Sequence, residues 1–224
     1  MSSIVPPAVS PSGAPPASAA EALARLREGN GRFVSNVRSI EALASLGRRI
    51  DPNAKQQPFA IILGCADSRA PAETIFDQGL GDLFVIRVAG NIVAPSQIGS
   101  VEFAAERFGT QLVVVMGHSH CGAISATVEQ LEASKSAGPA PSRNLLSITD
   151  RIAPVIAPLM QTELAKDRAA LFRAATRANA AAAADHLRHG SRLLEELRLK
   201  NGLVVVGAEY DLATGVVDFF DGAD

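Results

Sequence analysis

The chain has 224 residues, 47% of them hydrophobic and 20% charged, which suffices for one core of ordinary composition with a tail. Its 21 basic and 23 acidic residues nearly cancel to a formal charge of -2, and no stretch gathers Lys and Arg with aromatics, which speaks against a nucleic-acid partner. No apolar run approaches bilayer-spanning length and the first basic residue is Arg25, so neither a membrane span nor a signal peptide is expected, and the sequence reads as cytoplasmic.

Residues 1–19 are almost all Pro, Ser, Ala and small apolar residues, a composition that predicts a disordered or partner-draped arm, with one domain over 20–224. Ala22, Leu23, Leu26, Phe33 and Val34 then predict an amphipathic helix, interrupted around Gly29, Asn30 and Gly31. Phe59 to Leu63 reads as a buried parallel strand, with Cys65 just past its end. Pro71 opens a short helix, and Leu83 to Val88 is a second strand of the same kind. Ser96 is expected to cap the next helix, after which Leu112 to Met116 forms a third strand running into His118, with another helix starting near Cys121. A long helical segment over Glu163 to Lys200 leads to a fourth strand, Leu203 to Val206, and the turn at Thr214 and Gly215 makes Val216 to Phe220 its hairpin partner. The class is α/β: an open, mostly parallel sheet of four strands with an added antiparallel edge strand, helices on both faces, and an N-terminal helical arm.

Only two cysteines occur, Cys65 and Cys121, each at the end of an apolar run. In a cytosolic protein this favours metal binding or catalysis over a disulfide. Cys65 follows one strand and His118 with Cys121 another, and open α/β sheets bind ligands beyond the carboxyl ends of strands where strand order reverses, so the three groups converge if the first and third strands are neighbours. Two thiolates and an imidazole are a borderline-soft set that suits tetrahedral zinc, and three such ligands leave one position open. A thiolate at Cys121 is expected to gain from the amides at its helix start. Asp67 is a candidate fourth ligand in a closed, structural site; Arg69, two residues on, can instead hold that carboxylate away from the metal. His186 and His189, three apart on a helix, lack a third ligand nearby and read as a solvated face, and Gly79 and Gly81 resemble a phosphate loop only superficially.

The run Cys65-Ala66-Asp67-Ser68-Arg69, followed by His118-Ser119-His120-Cys121-Gly122, resembles the paired signature of beta-class carbonic anhydrases. The likeness extends from about Ala20 to the C-terminus through Glu28 to Phe33, Phe84 to Arg87, Ala89-Gly90-Asn91 and Gly207 to Asp211. It implies one zinc ion per subunit on Cys65, His118 and Cys121, with Asp67 and Arg69 as a catalytic dyad. It implies that the Gly122 amide donates to bicarbonate, that Gln56 reaches the substrate pocket, and that Phe84, Ala89 and Phe103 line it. It also implies a homodimer or dimer of dimers with each site at the subunit interface.

The reaction so implied is the reversible hydration of carbon dioxide to bicarbonate by zinc-bound hydroxide, oriented by Asp67. Same-fold hydrolases of carbon disulfide or carbonyl sulfide would use the same ligands, and a non-catalytic zinc protein is a further alternative. His120 is near enough to suggest a proton shuttle, but neighbours in a turn usually point different ways. Some family members hold an inhibitory bicarbonate on a tryptophan, an arginine and a tyrosine. The matching positions here are Ile62, Arg87 and Tyr210, and the chain contains no tryptophan, so this control is expected to be missing.

Overall fold

Five short runs of branched and small residues pair into one sheet, β1 (Ala60–Gly64), β2 (Leu83–Arg87), β3 (Leu112–His118), β4 (Val204–Tyr210) and β5 (Val217–Asp221). The structure, a computed structural model, describes residues 18–40, 42, 44, 56–133 and 142–223. The arm expected over 1–19 lies outside these residues except for Ser18 and Ala19, which open the first helix.

The strand order is β2-β1-β3-β4-β5, parallel throughout except for the β4–β5 hairpin. Alternate residues of the central strands face opposite ways, as pleating requires. Ile62, Val114 and Val206 meet α1 (Ala19–Val34) and α2 (Ala72–Ile75) through Leu26, Ile75 and Phe76. Ile61, Leu63, Val113, Val115 and Val205 meet α3 (Pro95–Phe108), α6 (Arg168–His189) and α7 (Arg192–Asn201) through Val101, Ala104, Leu187 and Leu194. A third cluster joins α4 (Gly122–Ala133) and α5 (Arg143–Ile156) beneath Cys65 and Cys121. The expected class, sheet composition and two-sided helical cover are all present.

Three local expectations are corrected. The first helix runs without interruption through Gly29, Asn30 and Gly31. Gly29 is there for close approach, since a Cβ would fall 1.8 Å from the Phe76 carbonyl oxygen. Asn30 is buried and clamps the distant hairpin, donating to the Gly215 carbonyl at 2.8 Å and accepting from the Val217 amide at 2.9 Å. Ser96 is not the cap of α3: the cap is Ala94, and Pro95 starts the helix with its pre-set φ at the position where a missing N–H costs nothing. The segment over Glu163 to Lys200 is not one helix. It breaks at Gly190 and Ser191, where the Ser191 side chain accepts from the Leu194 amide and starts α7. Helix α5 was not anticipated, because Pro154 inside it reads as a breaker.

At the end of β3 the sheet and α6 lie very close. A Cβ on Gly117 would stand 3.1 Å from Thr176 Cγ2 and 3.5 Å from Ala180 Cβ.

Candidate metal centre and active site

Because β1 and β3 are neighbours, their carboxyl ends deliver Cys65 and His118 to one point, and α4 begins immediately after Cys121. The side-chain ligand atoms of Cys65, His118 and Cys121 all lie within 4.8 Å of one another, and all three residues are buried. The sulfurs are 4.0 Å apart. His118 Nδ1 lies 2.9 Å from the Ser119 carbonyl oxygen, to which it donates as the protonated nitrogen of a neutral ring. Its Nε2 is buried and has no hydrogen-bond partner. A buried lone pair left unmatched beside two sulfurs is what a metal ligand presents before its ion is bound.

The protonation of the two thiols is linked. A hydrogen bond from Cys121 pulls the Cys65 thiol down to about 4, against the burial that raises it, with help from His118 and from the amide of Gly90, 3.3 Å from the sulfur. That same bond, together with burial, pushes the Cys121 thiol up. The amides of Ala123 and Ile124 at the start of α4 do lower it, as expected of a helix N-terminus, but the neighbouring sulfur outweighs them. Burial lowers the His118 pKa, and the adjacent Cys65 thiolate more than reverses this, so the net shift is upward.

Above the cluster stands Asp67, whose Oδ2 is 3.9 Å from His118 Nε2. Arg69 holds it in a fork, with Nε donating to Oδ1 at 2.9 Å and Nη2 to Oδ2 at 2.7 Å, while the Arg69 amide donates to Oδ1 at 2.9 Å. These bonds keep the Asp67 carboxyl well below the usual carboxylate range. Arg69 Nη2 also reaches the His120 carbonyl at 3.4 Å, tying the two halves of the motif together. From the end of β2, Arg87 donates to the carbonyls of Cys65 and Asp67, which fixes the loop that carries both.

A carbonic anhydrase family model matches residues 60–217. The chain belongs to the beta-class carbonic anhydrases. The Mycolicibacterium smegmatis carbonic anhydrase is 34% identical over 203 residues, covering 86% of this chain and 89% of that protein. Carbonic anhydrase 2 of Mycobacterium tuberculosis is 42% identical over 131 residues, covering 58% of this chain and 61% of that one. Among solved structures, one of the two tetrameric beta-carbonic anhydrases of Sordaria macrospora superposes with TM-score 0.64 at 26% identity, covering 74% of this chain and 82% of that chain. The CafA enzyme of Aspergillus fumigatus gives TM-score 0.65 at 25% identity over 91% of both chains. A beta carbonic anhydrase hydrates carbon dioxide, and the Cys65, His118 and Cys121 cluster is a site that can hold a metal ion.

Ala89 and Gly122 adjoin this cluster, one beside Gly90 and the other directly after Cys121. Gln56, Phe84 and Phe103 do not reach it within one chain. Gln56 precedes the amino end of β1 and is exposed, whereas Cys65 leaves the carboxyl end. Phe84 pairs with Ile61, four residues short of Cys65, which is roughly 13 Å along a strand. Phe103 packs on Phe84 and Phe108 with half its surface exposed. His120 is exposed, with a φ of 55°, and the Asp67 carboxylate stands outside the three-residue cluster, held by Arg69. His186 and His189 are exposed, with His189 beside Asp185 and Glu195, so the solvated-face reading stands.

Sequence reasoning did not assign a role to Gly90 or Ser119. Gly90 has a φ of 68°, and a Cβ there would stand 2.8 Å from Ile152 Cδ1. The glycine of Ala-Gly-Asn was the available signal. Ser119 sets the His118 tautomer through its carbonyl, a role any residue type could fill, so nothing in its identity announces it.

Proposed function

We propose that Cys65, His118 and Cys121 bind one zinc ion and that Asp67 and Arg69 are the catalytic dyad of carbon dioxide hydration. The observation that carries this reading is the forked carboxylate of Asp67, 3.9 Å from an unpartnered imidazole nitrogen. Zinc fits the donor set: two sulfurs on one tetrahedral zinc, with Zn–S bonds of about 2.3 Å, stand roughly 3.8 Å apart. The observed separation is 4.0 Å. When bound, zinc supplies the Lewis acidity that makes a water ionise near neutral pH.

The chain's own groups do the rest. Asp67, kept ionised by Arg69, would accept a hydrogen bond from the O–H of the nucleophile and so turn its lone pair toward carbon. Arg69 prevents Asp67 from becoming a fourth ligand and is therefore what keeps a coordination position open. The Gly122 amide, in the first turn of α4 where helix amides lack intrahelical acceptors, donates to the bicarbonate oxygen that develops.

Gln56, Phe84 and Phe103 complete the pocket from a second copy. β2 is an edge strand and Phe103 is 52% exposed beside it, so a partner packed there covers an open edge and an aromatic patch together. A homodimer, or a dimer of dimers, is part of the proposal, as is residence in the cytoplasm. Among the described residues no helix is long and apolar enough to cross a membrane. Elemental analysis and a stopped-flow assay on purified protein test the reading, with carbon disulfide and carbonyl sulfide assayed alongside. One zinc per chain with fast hydration is expected; full zinc with hydration no faster than buffer overturns it.

A further inference from the structure

A cleft of about 380 Å³ opens beside the His118–Cys121 turn, between that turn and the start of α6. None of Cys65, Asp67, Arg69 or Gly122 lines it. Its α6 wall carries Arg168, Phe172 and Arg173, and the turn contributes Ser119 and His120.

The charge balance of this cleft is positive. Arg168 pairs with Glu132 at 3.2 Å and lies over the Phe172 ring, whereas Arg173 has no carboxylate partner among the described residues. The one carboxylate on the wall, Asp211, is already engaged. Its Oδ1 accepts from the amides of Ala213 and Thr214 at 2.9 and 2.8 Å and from the Thr214 hydroxyl at 3.0 Å. Those bonds hold its pKa down. The first residues of α6, Arg168 and Ala169, also line the cleft, the helix start itself being capped by the Asp167 carboxylate, which accepts from the Ala170 amide at 3.0 Å. Ser119 Oγ accepts from the Leu212 amide at 2.9 Å, which leaves its O–H to donate elsewhere. Ser125 Oγ, on the opposite wall, donates to the Cys121 carbonyl at 3.3 Å. The half-buried Phe172 ring supplies a flat apolar surface next to these donors.

We propose that this cleft is a binding site for a small organic anion, its carboxylate or phosphate on Arg173 and Ser119 and its apolar body on Phe172. The size lies in the usual range of metabolite pockets, and a few placed polar groups beside an aromatic face are how such pockets fix orientation. A guanidinium without a partner is the natural counter-ion for either anionic group. The inference does not depend on the zinc assignment.

The test is calorimetric titration of the metal-loaded protein with phenyl phosphate and with benzoate, which share a ring and differ in the anion. Saturating azide is present to occupy the metal. Binding of one probe per chain is expected, and the stronger probe identifies the anionic group. Arg173→Ala is expected to weaken it about tenfold or more, Arg173→Lys to recover part of the loss, and Phe172→Ala to weaken it as well, with the hydration rate of Arg173→Ala in plain buffer unchanged. Absence of binding by both probes overturns the proposal. So does binding that Arg173→Ala leaves intact, or that azide abolishes.

Discussion

Asp67 Oδ2 stands 3.9 Å from His118 Nε2, and the same oxygen takes the 2.7 Å bond from Arg69. The carboxylate thus borders the cluster while being fastened to something else. Asp67→Asn retains the shape and the metal but loses charge and basicity, so hydration is expected to fall by about a hundredfold or more. Stopped-flow rates on variant protein of confirmed metal content check this, and an undiminished rate removes Asp67 from the mechanism.

Each of Cys65→Ser, His118→Ala and Cys121→Ser removes one of three strong donors from the cluster. Metal content after dialysis is expected to fall from one equivalent to a small fraction of it. Full occupancy in all three would end the assignment.

The hydration rate is expected to rise through and above neutral pH. Asp67 has its pKa depressed by Arg69, so it is already ionised far below neutrality and cannot be the group that titrates there. The sign for stability agrees: a depressed carboxylate contributes above its unfolded pKa, and the contribution is lost as pH falls through the lower folded value. The alkaline rise belongs to water on an ion whose charge two thiolates offset. A rate constant that is flat from mildly acid to alkaline conditions contradicts this.

Bicarbonate is expected to inhibit as a simple product, with no sigmoidal dependence. Ile62 is fully buried in the core and offers no donor, and Arg87 is engaged with the carbonyls of Cys65 and Asp67. An inhibition curve with a Hill coefficient clearly above one is the contrary result.

Gly29→Ala and Gly31→Ala, two residues apart in α1, are expected to act oppositely. The first drives a Cβ onto the Phe76 carbonyl at 1.8 Å and destabilises by roughly 3 kcal/mol, and the second meets nothing within 4 Å and gains about 0.5–1 kcal/mol of helix propensity. Urea midpoints of the two variants decide the matter.

The parallel strands were legible because burial on both faces leaves continuous apolar runs, and the ligands because cysteine and histidine at strand ends have few other uses. What stayed hidden depended on distant contacts. The uninterrupted helix at Gly29 is set by a carbonyl on Phe76, and α5 forms around Pro154 because its other face packs on α4. Arg87 was visible only as a family match; its hold on two carbonyls of the ligand loop comes from the β1–β2 register. Gln56, Phe84 and Phe103 show the limit from the other side, since one chain alone cannot bring them to Cys65.

The tight seating of α6 on Gly117 bears on how relatives of this chain can diverge. Thr176 and Ala180 press on the residue that directly precedes His118, so a bulkier side chain at either position displaces a ligand from a distance without touching the metal. Ala181 and Ala182, on the half-exposed flank of the same run, carry no such restriction. Saturation mutagenesis of this helix should therefore separate into two classes: neutral drift on the outer flank, and on the inner one losses that masquerade as active-site defects.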